Sequence, residues 1–187
     1  MEQIHRRKTS DLRKGRVSWP GGRYFVTCCV VRPSKILTTT ACATKVIEAI
    51  RHLEADGDVE LHCATIMPDH IHLLFTLCDR LVVSRIVAKI KGLTERSLRK
   101  SGDRWQENFF EHRLQAGEEL DPFARYVYMN PYRAGLVTQL AEWPFWIRGQ
   151  TEPAFMAMLI DGRFPPIEWM SQSLEKAGVA ESNVGPD

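Results

Sequence analysis

Two short runs of this 187-residue chain hold side chains that can do chemistry together. In Pro68-Asp69-His70-Ile71-His72-Leu73-Leu74-Phe75, two imidazoles stand two residues apart. On a strand, alternate side chains share a face, so His70 and His72 point together while Ile71, Leu73 and Phe75 point into a core. Paired imidazoles can share a metal ion; they suit Mn, Zn, Fe or Ni, and Mg with oxygen partners and water. Two surface histidines would leave the same pattern. In Ala124-Arg125-Tyr126-Val127-Tyr128-Met129-Asn130, Tyr126 and Asn130 are four apart and share a helix face. Tyr128 lies about 200° round from Tyr126. An amide oxygen beside the imidazoles would complete a metal site with positions open for a phosphate. The ion would then act as a Lewis acid, and the phenol would attack phosphorus and form a covalent intermediate. A core tyrosine and an asparagine ending a helix before Pro131 explain the second run equally well without chemistry.

The elements that must position these residues follow from hydrophobic period and punctuation. Trp19-Pro20-Gly21-Gly22 is a turn, and Arg23–Val31 is a buried strand. Val46, Ile47, Ile50 and Leu53 recur at helical spacing across 40–55, and Asp56-Gly57-Asp58 stops that helix. Val59–Met67 and His70–Leu77 read as strands joined by the Pro68-Asp69 turn, an antiparallel hairpin. Residues 82–100 form an amphipathic helix whose outer face carries Arg85, Lys89, Lys91, Arg96 and Arg99. Trp105–Leu114 is a fourth strand, and 121–130 a further helix that Pro131 should end. A short helix is expected near 152–160. Strand, helix, strand, strand, helix, strand is the split-βαβ order, so the expected class is α+β: a ferredoxin-like βαββαβ sandwich with an antiparallel sheet, plus a C-terminal helix carrying Tyr126.

Charge is uneven although the net is only +2. Residues 1–23 hold seven Lys/Arg against two Asp/Glu, 80–100 hold seven against one, and 151–187 hold two against six. Basic clusters suit a polyanion, because each neutralised phosphate releases counterions; a solvated helix face and arm are the plainer explanation. Five cysteines, an odd number with no C-x-x-C, read as small buried hydrophobes in a reducing cytoplasm. The N-terminus shows no apolar signal region, and no run approaches the roughly 18 apolar residues of a membrane span.

The ordered set of blocks resembles one family, the REP-associated tyrosine transposases, relatives of the single-tyrosine transposases of small bacterial insertion sequences. The blocks are Gly22-Arg23-Tyr24-Phe25-Val26-Thr27, Met67 to Leu74, Trp105 to Arg113, Ala124 to Val127 with Asn130 to Val137, and Trp143-Pro144-Phe145-Trp146. Three segments are expected: a basic N-terminal arm (1–22), a histidine–hydrophobe–histidine (HUH) transposase domain (23–147) that the resemblance implies, and an acidic, partly mobile C-terminal extension (148–187) that lies outside the resemblance. The resemblance implies His70, His72 and Asn130 as ligands of Mg²⁺ or Mn²⁺ and Tyr126 as nucleophile. It also implies cleavage of single-stranded DNA beside hairpin-forming palindromic repeats, through a 5′-phosphotyrosine and a free 3′-hydroxyl, by a monomer or homodimer. Arg13, Lys14, Arg16 and Arg23 of the arm, and Lys89, Lys91, Arg96 and Arg99 of the basic helix, are the candidates to grip phosphates. Arg113, Arg125 and Arg133 are candidates nearer the chemistry, and Trp19, Tyr24 and Trp105 could stack on unpaired bases.

Two rival functions fit parts of the pattern. A non-catalytic nucleic-acid-binding module would use the same open sheet, although such sheets present paired aromatics where this one has histidines. A zinc hydrolase would need a third strong ligand, for which Glu111 or His112 are candidates, and a two-histidine phosphodiesterase would need a second His-x-Thr/Ser pair that the chain lacks.

Overall fold

The computed structural model describes residues 17–32 and 34–170. Its main elements are β1 (Arg23–Cys29), α1 (Thr40–Ala55), β2 (Val59–Ile66), β3 (His70–Leu77), α2 (Val83–Lys100), β4 (Phe110–Arg113), α3 (Leu120–Arg133), β5 (Trp146–Arg148) and α4 (Ile167–Met170), with 3₁₀ turns at Ile36–Thr38 and Ala154–Met158. The five strands form one sheet in the order β4-β1-β3-β2-β5, and every pairing is antiparallel. The expected α+β split-βαβ order is therefore the observed one, with β5 added outside β2.

Each face of the sheet is covered by helix, for a reason visible in the strands. On one face Tyr24, Val26, Ile71, Leu73, Phe75 and Leu77 pack against the apolar stripes of α1 (Val46, Ile50, Leu53) and α2 (Val83, Ile86, Val87, Ile90, Leu98). On the other, Phe25, Cys63 and Leu74 meet Phe123, Tyr126 and Val127 of α3. Strict alternation would put Leu61 and Cys63 on one face. A bulge between them sends Leu61 to the first core and Cys63 to the second.

The structure departs from the sequence expectations at four places. β4 begins at Phe110, not Trp105, because Lys91 Nζ donates to the Gln106 and Asn108 carbonyls (2.7 and 3.1 Å), which holds that segment out of the ladder. Trp105 keeps only an isolated bridge to Val30 and is buried, its indole N–H donating to Thr94 Oγ1 at 2.8 Å; Tyr24 is likewise buried, its hydroxyl accepting from the Trp19 backbone N–H. Neither ring is placed to stack on a base, whereas Trp19 is exposed. α3 runs through Pro131 to Arg133. A proline in the last turn costs only the Val127 carbonyl its donor, while Ala134 N–H to Asn130 O (3.0 Å) and Leu136 N–H to Pro131 O (2.9 Å) close the helix end. Finally, β5 was not foreseen: three residues are too few for periodicity to show.

Residues after β5 belong to the fold as far as they are described. Phe155, Met156, Leu159 and Trp169 are buried in the core under α3. The expected helix near 152–160 is the 3₁₀ turn Ala154–Met158.

Candidate active site

His70 opens β3 and His72 follows it on the same face, the face covered by α3. His72 is fully buried. Their Nε2 atoms lie 3.1 Å apart, and Asn130 Nδ2 lies 3.1 Å from His72 Nε2. The opposite ring nitrogens are held from behind. His70 Nδ1 donates to the Asp69 carboxylate at 2.8 Å, and His72 Nδ1 lies 2.8 Å from Thr27 Oγ1. Thr27 reaches His72 because the β1–β3 register pairs the two residues.

An Asn130 amide that donates to His72 Nε2 places the His72 proton on Nδ1, toward Thr27 Oγ1. Asp69 draws the His70 proton to Nδ1 in the same way. Burial, followed by the nearby His70, holds the His72 pKa well below the usual histidine value and keeps that ring neutral. The hydrogen bond from His70 lowers the Asp69 pKa and keeps it a carboxylate. The Nε2 atoms of His70 and His72 face one another beside the Asn130 side chain, an arrangement that a shared cation would satisfy. Turning the Asn130 amide over presents its oxygen to the same point. The donor set therefore fits a divalent ion with two imidazoles and one amide oxygen, backed by the hydrogen bonds that usually orient metal-binding histidines. Among the described residues no group of three or more His, Cys, Asp or Glu is placed to hold a metal. His112, one of the two candidate third ligands for a zinc hydrolase, is instead paired with Glu118 at 2.9 Å and stacked on Phe123.

α3 brings Tyr126 and Asn130 to this point together. The Tyr126 ring meets His72 edge-on at 5.6 Å and Phe25 at 5.8 Å, and the Arg133 guanidinium lies over it at 5.7 Å. Tyr126, Asn130, Arg133 and His70 line a cavity of about 570 Å³, whose other wall is Ser34 and Lys35. Tyr128 faces away from it. Its hydroxyl donates to the Arg163 carbonyl at 2.6 Å and sits 3.4 Å from Tyr132, and burial followed by Tyr132 pushes its pKa far up.

Of the candidate phosphate-binding residues among the described ones, the cavity gathers only Arg133. Arg13, Lys14 and Arg16 lie outside the described residues. Arg23 donates to the Glu118 carbonyl at 3.0 Å. Lys89, Lys91, Arg96 and Arg99 are all on α2, behind the sheet from the histidines. There Lys89 pairs with Asp56 and Asp58 at 2.6 Å each and Arg99 with Glu95 at 2.7 Å, while Arg96 is exposed. Arg113 is exposed at the sheet edge, and Arg125 lies over Trp169 at 5.3 Å. Sequence reading missed Thr27, Asp69, Ser34 and Lys35. Asp69 adjoins His70 and was legible as its neighbour; Thr27 needs the strand register, and Ser34 and Lys35 need the loop path.

The family model described as Transposase IS200 like matches residues 21–119. The REP-associated tyrosine transposase of Escherichia coli (strain K12) is 30% identical over 128 residues, which cover 67% of this chain and 75% of that one. The chain belongs to the IS200-like transposase family. A solved structure of a REP-associated tyrosine transposase bound to a REP hairpin superposes with a TM-score of 0.60 at 28% identity, covering 70% of this chain and 79% of that chain. The family match takes in His70 and His72 and stops one residue before α3, so the Tyr126 helix is carried by the chain's own geometry. Among the described residues no helix is long and apolar enough to cross a membrane.

Proposed function

We propose that this IS200-like transposase cuts and rejoins single-stranded DNA beside hairpin-forming repeats, with Tyr126 as nucleophile and Mg²⁺ or Mn²⁺ held by His70, His72 and Asn130. The observation that carries the reading is the convergence of the His70 and His72 Nε2 atoms and the Asn130 amide, with His70 and Asn130 lining a cavity that Tyr126 and Arg133 also line. The REP hairpin in the related solved structure supports the choice of DNA.

When bound, the ion withdraws charge from a phosphate oxygen and makes phosphorus more electrophilic. The protein does the rest. Asp69 and Thr27 hold the imidazoles in the tautomers that leave Nε2 free. Phe25 and His72 hold the Tyr126 ring, so the phenol is positioned with little freedom to lose. Arg133 supplies positive charge beside that ring as the phenol gives up its proton. The Tyr126 phenol releases its proton to solvent as its oxygen bonds to phosphorus, the bond from phosphorus to the 3′-oxygen breaks, and the departing 3′-oxygen takes a proton from solvent as a hydroxyl. The product is a 5′-phosphotyrosine. Its ester energy is kept, so attack by another strand's 3′-hydroxyl reverses the step and rejoins DNA without a nucleotide cofactor.

The test is incubation of the full chain with hairpin-bearing single-stranded oligonucleotides and Mn²⁺, followed by denaturing electrophoresis. A covalent protein–DNA band is expected from wild type and from Tyr128→Phe, and none from Tyr126→Phe, which still binds the oligonucleotide. An undiminished band from Tyr126→Phe overturns the nucleophile; no band on any hairpin substrate favours a binding module without chemistry.

A further inference from the structure

The loop after β1 separates two cavities. On one side it is tied to the floor of the histidine cavity: Val30 N–H donates to the Asp69 carbonyl at 2.8 Å and Leu37 N–H to the Pro68 carbonyl at 3.0 Å. On the other side it is tied to the end of α2: Val31 N–H donates to the Arg104 carbonyl at 2.9 Å, and Ser34 Oγ donates to Asp103 at 3.2 Å. Ser34 thus lines the histidine cavity and bonds the wall of a second one, of about 350 Å³, lined by Arg32, Arg99, Asp103 and Arg104.

Arg32, Arg99 and Arg104 are all exposed, so solvent screens their mutual repulsion, but three guanidiniums around one cleft still concentrate positive potential there. The negative end of α2 and the Asp103 carboxylate offset only part of this. Asp103 is buried, and its oxygens already accept from Ser34 and from the Arg104 backbone N–H (2.8 Å). Arg32 gives one nitrogen to the Gly102 carbonyl at 3.3 Å, and Arg99 gives Nε to Glu95. Arg104 has no side-chain bond among the described residues. A guanidinium carries five N–H donors, so most of the donors around this cleft are uncommitted. Planar forks of this kind match phosphate oxygens.

We infer that Arg32, Arg99 and Arg104 form a second phosphate seat, which holds the backbone of the nucleic-acid strand on one flank of the phosphate that enters the Tyr126 cavity. The inference rests on the proposed function, since it takes the same strand for both cavities. The loop between them, with Lys35 on the active side, sets the path from one to the other. This seat reads phosphate and not base. Its effect is to register the strand, so that a substrate too short to reach it binds and reacts less well.

The experiment measures binding and covalent adduct formation for hairpin oligonucleotides shortened one nucleotide at a time, first from one end and then from the other. Wild type is compared with the double variant Arg32→Gln/Arg104→Gln and with Arg104→Gln alone, which removes no side-chain bond seen in the structure. The expected result is a loss of roughly 10-fold or more in affinity for the double variant on long substrates near 0.1 M salt, with a salt slope shallower by about one unit. That difference should vanish once one particular flank is trimmed, and Arg→Lys replacements should restore part of it. Equal affinity of wild type and both variants at every length, while wild type still forms adducts, overturns the seat and leaves the function standing. Wild type that retains no single-stranded DNA at any length overturns both.

Discussion

At the scale of single residues, the site depends on two side chains that touch no substrate. Thr27 accepts the His72 Nδ1 proton and Asp69 accepts that of His70. Thr27→Val keeps the shape and removes the acceptor. Losing such a backing partner lowers metal affinity by about 10–100-fold, and Mn²⁺ titration by calorimetry should show a drop of that order. A second residue-scale expectation concerns His62 on β2. Its Nε2 lies 2.8 Å from Thr76 Oγ1 and its Nδ1 is buried without a partner, so burial holds its pKa below the ordinary 6.5. The unfolded chain then binds more protons than the native one below that pH. Stability is full above about pH 6.5 and falls as pH drops from there through the native pKa; His72, lowered also by burial, contributes with the same sign. Urea midpoints measured across this range should show that slope, and His62→Asn should make it shallower.

At the scale of elements, α3 and the β2–β5 pair carry the positional burden. α3 divides its tyrosines between two surroundings, Tyr126 toward the histidines and Tyr128 toward Trp146 and Phe155. Helical rotation alone explains this division, which is why Tyr128→Phe should leave adduct formation intact. β5 lies on β2 where the bulge sits. Gly149 N–H donates to the His62 carbonyl at 3.0 Å, and a Cβ on Gly149 would run into the Leu61 backbone carbonyl. Gly149→Ala must therefore push β5 from the sheet. We expect a loss of about 1–3 kcal/mol by urea denaturation, in the range of other overpacked sites; an unchanged midpoint would mean that the strand end moves freely.

At the scale of the whole molecule, the sheet keeps its two jobs on opposite faces. One face, under α1 and α2, is closed core; the other carries the histidines under α3. The described residues after β5 brace α3 from outside through Phe155, Met156, Leu159 and Trp169. Phe155 is 1% exposed and packs on Tyr128, Trp146 and Trp169. Phe155→Ala should cost about 3–5 kcal/mol by urea denaturation. Because α3 holds Tyr126 and Asn130, Mn²⁺ affinity should weaken in the same variant; stability lost with metal affinity unchanged would show that the brace and the site are independent.

Local pattern was enough for everything that depends on period and neighbourhood. Alternation put His70 and His72 on one face, the helical repeat put Tyr126 with Asn130 and away from Tyr128, and the element order gave the split-βαβ sheet, all because side-chain direction within an element follows from backbone geometry. What needed tertiary structure was every relation between elements distant in sequence. The Thr27–His72 pair depends on strand register, and the bulge at Leu61/Cys63 changes which face a residue meets without altering the pattern of letters. The basic face of α2 reads from sequence as a place to grip phosphates; in the structure Lys89 and Lys91 are engaged with carboxylates and carbonyls, which pattern alone does not reveal. Pro131 looked like a helix stop because propensity is local, whereas closure of α3 beyond it is set by the turn that follows. The histidine pair was thus a matter of sequence; its amide neighbour and the cavity in front of it were decided by how α3 lies on the sheet.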